Sequence, residues 1–328
     1  MKKIINAPDM IVEEMLSGIV GNYSNLVYRV GETRVIARKE MGSQVGLVSG
    51  GGSGHEPAHA GFVGTGMLSA AVLGEVFTSP TPDQIVEAIK VADQGMGVLL
   101  IVKNYTGDIL NFEMAKDLAE MDGIVSEILV VNDDIAVENS TYTAGKRGVA
   151  GTVLVHKILG DYARNGASLK ELVAIGKQVV SSTKTIGFAL KAATVPEVGK
   201  PGFDLEDDEI EFGVGIHGEP GYHRQKLLPS KELAQELLNK ILESYEQLPK
   251  KVGVLVNGMG GTPLMEQFVF SNDVLTLLRD MKIDIAFGKV GDYMTSIDMQ
   301  GLSLTVINLE NTSWTEALHS SVKTIAWL

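Results

Sequence analysis

The chain has 328 residues, 45% hydrophobic and 21% charged, which is material for about two packed domains and too apolar for a disordered chain. Its formal charge of -13 argues against a phosphate-gripping nucleic-acid surface, and the absence of cysteine excludes disulfides, thiolate metal sites and a cysteine nucleophile. No stretch reaches the roughly 20 apolar residues that span a bilayer, and Asn6, Pro8 and Asp9 break the leader that Lys2 and Lys3 would open, so a cytoplasmic chain with no membrane contact is expected.

Along the chain, short apolar runs end in glycine-rich or polar turns. Residues 45–48 lead into SGGGSG (49–54), 98–102 into KNYTGD (103–108), and 128–131 into Asn132-Asp133-Asp134. These runs lack polar alternation and predict buried strands of a mostly parallel sheet. Helical spacing marks 82–94, with Thr81 as N-cap and Pro82 in the first turn, and also 111–121 and 169–180. After about residue 182 a second set begins. Strands are expected at 186–190, 210–216, 252–256, 283–287 and 302–307, helices at 230–247 and 272–281, and a breaker-rich loop at 194–202. Alternating strands and helices predict an α/β fold of two domains, 1–182 and 183–328, with mostly parallel or mixed sheets.

Three strand exits carry chemistry. The first, SGGGSGHEP (49–57), bares backbone N–H groups to a ligand, or is a tight turn and nothing more. It lacks the Gly-Lys-Ser/Thr ending of a P-loop and the third glycine of a dinucleotide fingerprint. His55-Glu56-Pro57-Ala58-His59 matches the zinc pattern H-E-x-x-H, but Pro57 breaks the helix that would align its histidines. No metal site is expected, and His55 is left in a loop for acid–base work. The second exit brings Lys103 and Asp108 near one point, where they can orient a hydroxyl and take its proton, or form an ordinary turn. The third, GVGIHGEPG (213–221), ends a strand in His217 beside Gly218. Such an imidazole is expected to be accessible and unhindered, a nucleophile or general base, or else a loop histidine held by hydrogen bonds.

Around these, FTSPTP (77–82) places Phe77 and Ser79 before a helix whose first N–H groups can hold an anion, or serve only as a cap. NGMGGTP (257–263) is a further close-approach loop. His156, among apolar residues, reads as structural, His223 and His319 carry no pattern, and the methionines read as core filling.

Taken together, SGGGSGHEP (49–57), FTSPTPDQI (77–85), KNYTGDILNFE (103–113), TAGKRGVAGT (143–152), TVPEVGKPGF (194–203) and GVGIHGEPG (213–221) resemble the substrate-binding subunit of dihydroxyacetone kinases over essentially the whole chain. The resemblance implies two α/β domains and a homodimer. It implies that His217 forms a covalent hemiaminal with dihydroxyacetone, that Asp108 accepts the proton of the attacking hydroxyl, and that His55 assists. It also implies substrate contacts at Gly52, Ser53, Lys103, Phe77 and Ser79. Family members that use ATP directly carry a fused helical domain, for which this chain, ending at Leu328, leaves no room. It therefore resembles the free-standing bacterial subunit. In that system a helical partner carries Mg-ADP or Mg-ATP, and a phosphotransferase subunit recharges it from phosphoenolpyruvate. No cofactor is expected on this chain itself. The resemblance also covers a paralogue that binds dihydroxyacetone and coactivates a transcription regulator.

Overall fold

The computed structural model describes residues 2–137 and 144–327; Thr143, which opens the TAGKRGVAGT motif, lies outside them. One sheet contains β1 (Val27–Arg29), β2 (Val35–Arg38), β3 (Gly46–Ser53), β4 (Ala70–Val76), β5 (Val98–Lys103) and β6 (Ser126–Val131), in the order β1-β2-β4-β3-β5-β6. The pairs β4–β3, β3–β5 and β5–β6 are parallel, and β1 and β2 close one edge in antiparallel fashion. A second sheet contains β7 (Thr183–Lys191), β8 (Glu209–Phe212), β9 (His223–Lys226), β10 (Lys251–Gly258), β11 (Asp284–Gly291) and β12 (Gln300–Asn308), in the order β11-β10-β12-β7-β8-β9. It is mixed: β10 and β11 pair parallel, and the other neighbours pair antiparallel.

The helices are α1 (Ile11–Asn22), α2 (Pro82–Ala92), α3 (Thr106–Met121), α4 (Thr152–Arg164), α5 (Leu169–Ser182), α6 (Ser230–Glu243), α7 (Leu264–Asp280) and α8 (Thr312–His319). Strand periodicity sorts the side chains between layers. On β5, Val98, Leu100 and Val102 pack with α2 and α3, while Leu99 and Ile101 face the opposite layer. On β10, Val252, Val254 and Val256 pack with α6 and α7, while Leu255 faces away. Helices α4, α5 and α8 lie between the two sheets. There Leu47, Ile101, Leu159 and Leu172 join Leu255, Phe287 and Ile307 in one core. The change of sheet falls at Ser182–Thr183, and this central layer draws on both sides of it.

Several elements differ from their sequence pattern: β3 runs on through the glycines to Ser53, α6 ends at Glu243 rather than 247, and three others differ for a local reason. The strand expected over 210–216 stops at Phe212, because Gly213 turns to φ +73 and leaves the ladder. Helix α3 starts at Thr106 rather than 111; its polar first turn hides the apolar period. Helix α7 starts at Leu264 rather than 272, and its early Leu264, Met265, Phe268 and Val269 are exposed, so no inward stripe marks it. Sequence pattern also missed α1, α4, α8, β1, β2, β4 and β9. Helix α4 is buried almost all round, from Thr152 through Gly160, and so shows no polar face to read.

Candidate active site

The carboxyl ends of β3, β4 and β5 open on a cleft of about 610 Å³, lined by Gly52, Phe77, Ser79, Tyr105, Asp108 and His217 among others. Parallel strands of an open sheet present ligands there because their connecting loops diverge beyond the strand ends. Gly52 is required by close approach: a Cβ on it would sit 2.5 Å from the Thr78 nitrogen.

Lys103 is the last residue of β5 and is fully buried. Its Nζ is 3.3 Å from Asp108 Oδ2 and 3.5 Å from the Gly50 carbonyl oxygen. Asp108 is also buried, in the first turn of α3, where the free N–H groups of a helix favour a carboxylate. The strand end and the helix start therefore meet in an ion pair at the floor of the cleft.

His55 is fully buried, and its Nδ1 is 2.8 Å from the Thr295 carbonyl oxygen. A carbonyl oxygen only accepts, so Nδ1 carries the proton and Nε2 keeps a lone pair. That Nε2 has no protein partner among the described residues. Burial, with Lys103 nearby, pushes the pKa of His55 down to about 3, and the ring is neutral.

His217 is half-buried, in the loop between β8 and β9, where Gly218 turns at φ +76. It is not the unhindered imidazole expected from its glycine neighbours. Three rings meet it edge-on: Tyr105 with centroids 4.3 Å apart, His55 at 4.8 Å and Phe77 at 5.4 Å. Burial first, then His55, Lys103 and Arg147, hold its pKa well below the ordinary imidazole value. A neutral ring at the cleft wall has a lone pair to offer an electrophile.

Other singled-out residues fall around this centre. Ser79 lines the cleft, whereas Ser53 Oγ donates to the Gly74 carbonyl at 2.8 Å and ties β3 to β4. Residues 55–59 form turns, not a helix, and Glu56 accepts from the Gly54 N–H at 3.1 Å. His59 turns inward to His156, with Nδ1 to Nε2 3.0 Å, and to Ser49 Oγ at 3.3 Å. Among the described residues no cluster of three or more His, Asp or Glu is arranged to hold a metal ion. His223 is exposed on β9, and His319 Nε2 meets the Ala286 carbonyl at 3.0 Å.

Four residues of the site environment escaped the sequence reading: Tyr105, Thr295, Arg147 and Glu219. Tyr105, Arg147 and Glu219 sit inside motifs already marked, whereas Thr295 lies outside all of them. The NGMGGTP loop has a role through Asn257, whose Oδ1 accepts from the Tyr293 and Met294 N–H groups at 2.9 Å each. It thereby shapes the turn that presents the Thr295 carbonyl to His55.

Residues 17–326 match the model of the Dak1 domain. The chain belongs to the Dak1 family. Within it, the chain is 62% identical over 329 residues to the dihydroxyacetone-binding subunit DhaK of PTS-dependent dihydroxyacetone kinase 1 from Listeria innocua, with all of both chains covered. It is 40% identical to the DhaKLM operon coactivator DhaQ of Lactococcus lactis, over 99% of this chain and 100% of that one. Among solved Dak1 structures, the dihydroxyacetone kinase of C. freundii matches with a TM-score of 0.92 at 34% identity, over 99% of this chain and 60% of that one. Dak1 relatives thus include a kinase subunit and a coactivator.

Proposed function

We propose that this Dak1 chain is the dihydroxyacetone-binding subunit of a phosphoenolpyruvate-dependent kinase and holds its ketone covalently on His217. The observation that carries the reading is a neutral imidazole facing the same cleft as the buried Lys103–Asp108 pair. The imidazole lone pair adds to the carbonyl carbon, the C=O π electrons move to oxygen, and the proton lost from the other ring nitrogen ends on that oxygen. The product is a hemiaminal. Glycerol matches the substrate in size and hydroxyls, and contacts alone separate such isosteres weakly. Only a carbonyl compound makes the C–N bond.

The bond also fixes a terminal hydroxyl in the cleft, a positional contribution to rate. Asp108 takes the proton of that hydroxyl as its oxygen attacks the incoming phosphoryl group. Lys103 orients the carboxylate, and the free Nε2 of His55 accepts a hydrogen bond from the bound substrate. The backbone at Gly52 and Ser53, with Phe77 and Ser79, shapes the pocket. Charge stabilisation of the phosphoryl group is assigned to Mg-ADP or Mg-ATP on a helical partner, recharged from phosphoenolpyruvate by a phosphotransferase subunit. The working form is a cytoplasmic homodimer.

A ligand-sensing coactivator is the second reading, favoured by the 40% identity to DhaQ. The kinase reading is supported by the higher identity to DhaK and by a proton acceptor that a sensor does not need. The deciding experiment mixes the chain with an ADP-loaded helical partner, phosphotransferase components and phosphoenolpyruvate, beside a working kinase subunit, and follows dihydroxyacetone phosphate. Turnover that disappears in Asp108→Asn supports the kinase. Absence of turnover, with dihydroxyacetone still held on His217, supports the coactivator.

A further inference from the structure

The loop from Gly213 to Tyr222 that carries His217 joins β8 to β9 without a ladder at its tip. Its position comes instead from a buried ion cluster. Arg147, 1% exposed, sends Nε to Asp134 Oδ2 at 2.6 Å, Nη2 to the Gly213 carbonyl at 2.7 Å and Nη1 to Glu219 Oε1 at 3.4 Å. The other oxygen of Glu219 accepts the backbone N–H of His217 at 2.9 Å. The carboxylate crosses bare backbone to get there, since a Cβ on Gly215 would collide with both Glu219 and Arg147.

We propose that Glu219 is the positioning residue of His217. Braced by Arg147, its carboxylate holds the backbone N–H of His217 and so fixes the point from which the imidazole enters the cleft, beside Tyr105. The inference rests on covalent capture by His217. A loop free to shift would carry the imidazole in and out of line with the ketone carbon, and orientation is part of the rate and the equilibrium of such an addition. The acceptor oxygen carries the effect, so an amide in its place serves nearly as well.

The test uses dihydroxyacetone labelled with 13C at its carbonyl carbon, titrated into the full chain and read by NMR as the shift from ketone to hemiaminal. Wild type, His217→Ala, Glu219→Ala and Glu219→Gln are compared, with circular dichroism and thermal melting on each. Loss of one charge-assisted hydrogen bond predicts capture weaker by about tenfold or more in Glu219→Ala, and within about threefold of wild type in Glu219→Gln. With the partner subunits present, the loss in Glu219→Ala is expected chiefly in KM. Equal capture by a folded Glu219→Ala overturns the proposal. If that variant fails to fold, Glu219→Gln decides, and its failure to capture while folded overturns the proposal equally. A wild type with no hemiaminal signal fails earlier, and sinks the covalent reading itself.

Discussion

Thr295 grips His55 across 240 positions of sequence, its carbonyl oxygen 2.8 Å from Nδ1. The second half of the chain thereby sets the tautomer of a histidine in the glycine loop of the first. The contact is reinforced on either side: the Ile297 N–H donates to the Gly54 carbonyl at 2.7 Å, and Thr295 Oγ1 donates to the Glu56 carbonyl at 2.9 Å. A proton on Nδ1 leaves Nε2 as the acceptor in the site.

Capture of dihydroxyacetone is expected to show no midpoint near the ordinary imidazole value of about 6.5 as the pH is lowered. Protonation removes the lone pair that attacks the ketone, and an ordinary imidazole loses it near 6.5. Burial holds His217 well below that value and His55 at about 3, so both rings remain neutral. The carbonyl-carbon NMR titration repeated at each pH reads this directly. A midpoint near 6.5 would contradict it.

Removing one member of the Lys103–Asp108 pair has asymmetric consequences. Lys103→Met leaves a buried carboxylate without its cation and is expected to cost about 3–5 kcal/mol in urea unfolding. Asp108→Asn keeps an oxygen that can accept from Lys103, so its stability loss is expected to be smaller. Its phosphoryl transfer is expected to fall by about 100- to 10,000-fold, the usual worth of a general base. A variant Asp108→Asn with full turnover would remove Asp108 from the mechanism.

Phe77 stands at φ +55, in the left-handed region, while its ring stacks on His55 with centroids 5.2 Å apart. Strain of this kind persists where the surroundings over-determine it. Phe77→Ala keeps the strain and loses the ring, whereas Phe77→Gly loses both. The glycine variant is therefore expected to unfold at higher urea than the alanine variant, by roughly 1 kcal/mol. Both are expected to weaken dihydroxyacetone capture, because the wall behind His55 and His217 is gone. The opposite order of stability would show that Phe77 is not strained.

The buried His59–His156 pair gives stability a slope with pH. Burial lowers the pKa of His156 to about 3, against about 6.5 in an unfolded chain. Between those values the unfolded chain binds a proton that the folded chain refuses. The contribution is complete above about 6.5 and is lost as the pH falls, by up to about 1.4 kcal/mol per pH unit for each such group. Buried Asp134, raised to about 6, works in the opposite sense, so the slope must be isolated by substitution. In His156→Gln, the slope of unfolding free energy between pH 6 and 5 is expected to flatten by about 1 kcal/mol per unit. An unaltered slope would mean that His156 already carries its proton in the folded state.

Much of the site was legible because its pieces are local. Strand exits rich in glycine mark where backbone must approach a ligand, and Pro57 alone argues against a zinc helix. Gly52, Asp108, His217, Phe77 and Ser79 all line one cleft, although they come from four separated segments. Local pattern failed where a segment has no exposed face to contrast with a buried one, as in α4, or where a polar turn begins a helix, as at Thr106. It placed His217 in the cleft but misjudged its surroundings, because Tyr105, His55 and Phe77 pack edge-on against a ring whose glycine neighbours suggested open space.

An α/β chain with glycine-rich loops at its strand ends follows from short-range chemistry: apolar runs, breakers and the conformational freedom of glycine. The partner of each functional side chain does not. Thr295 on His55, Arg147 on Glu219 and Tyr105 against His217 join segments brought together only when two sheets close on one helical layer. Burial in that assembly sets the protonation of His55 and His217. Desolvation depends on everything that surrounds a group, and no stretch of neighbouring residues contains that information.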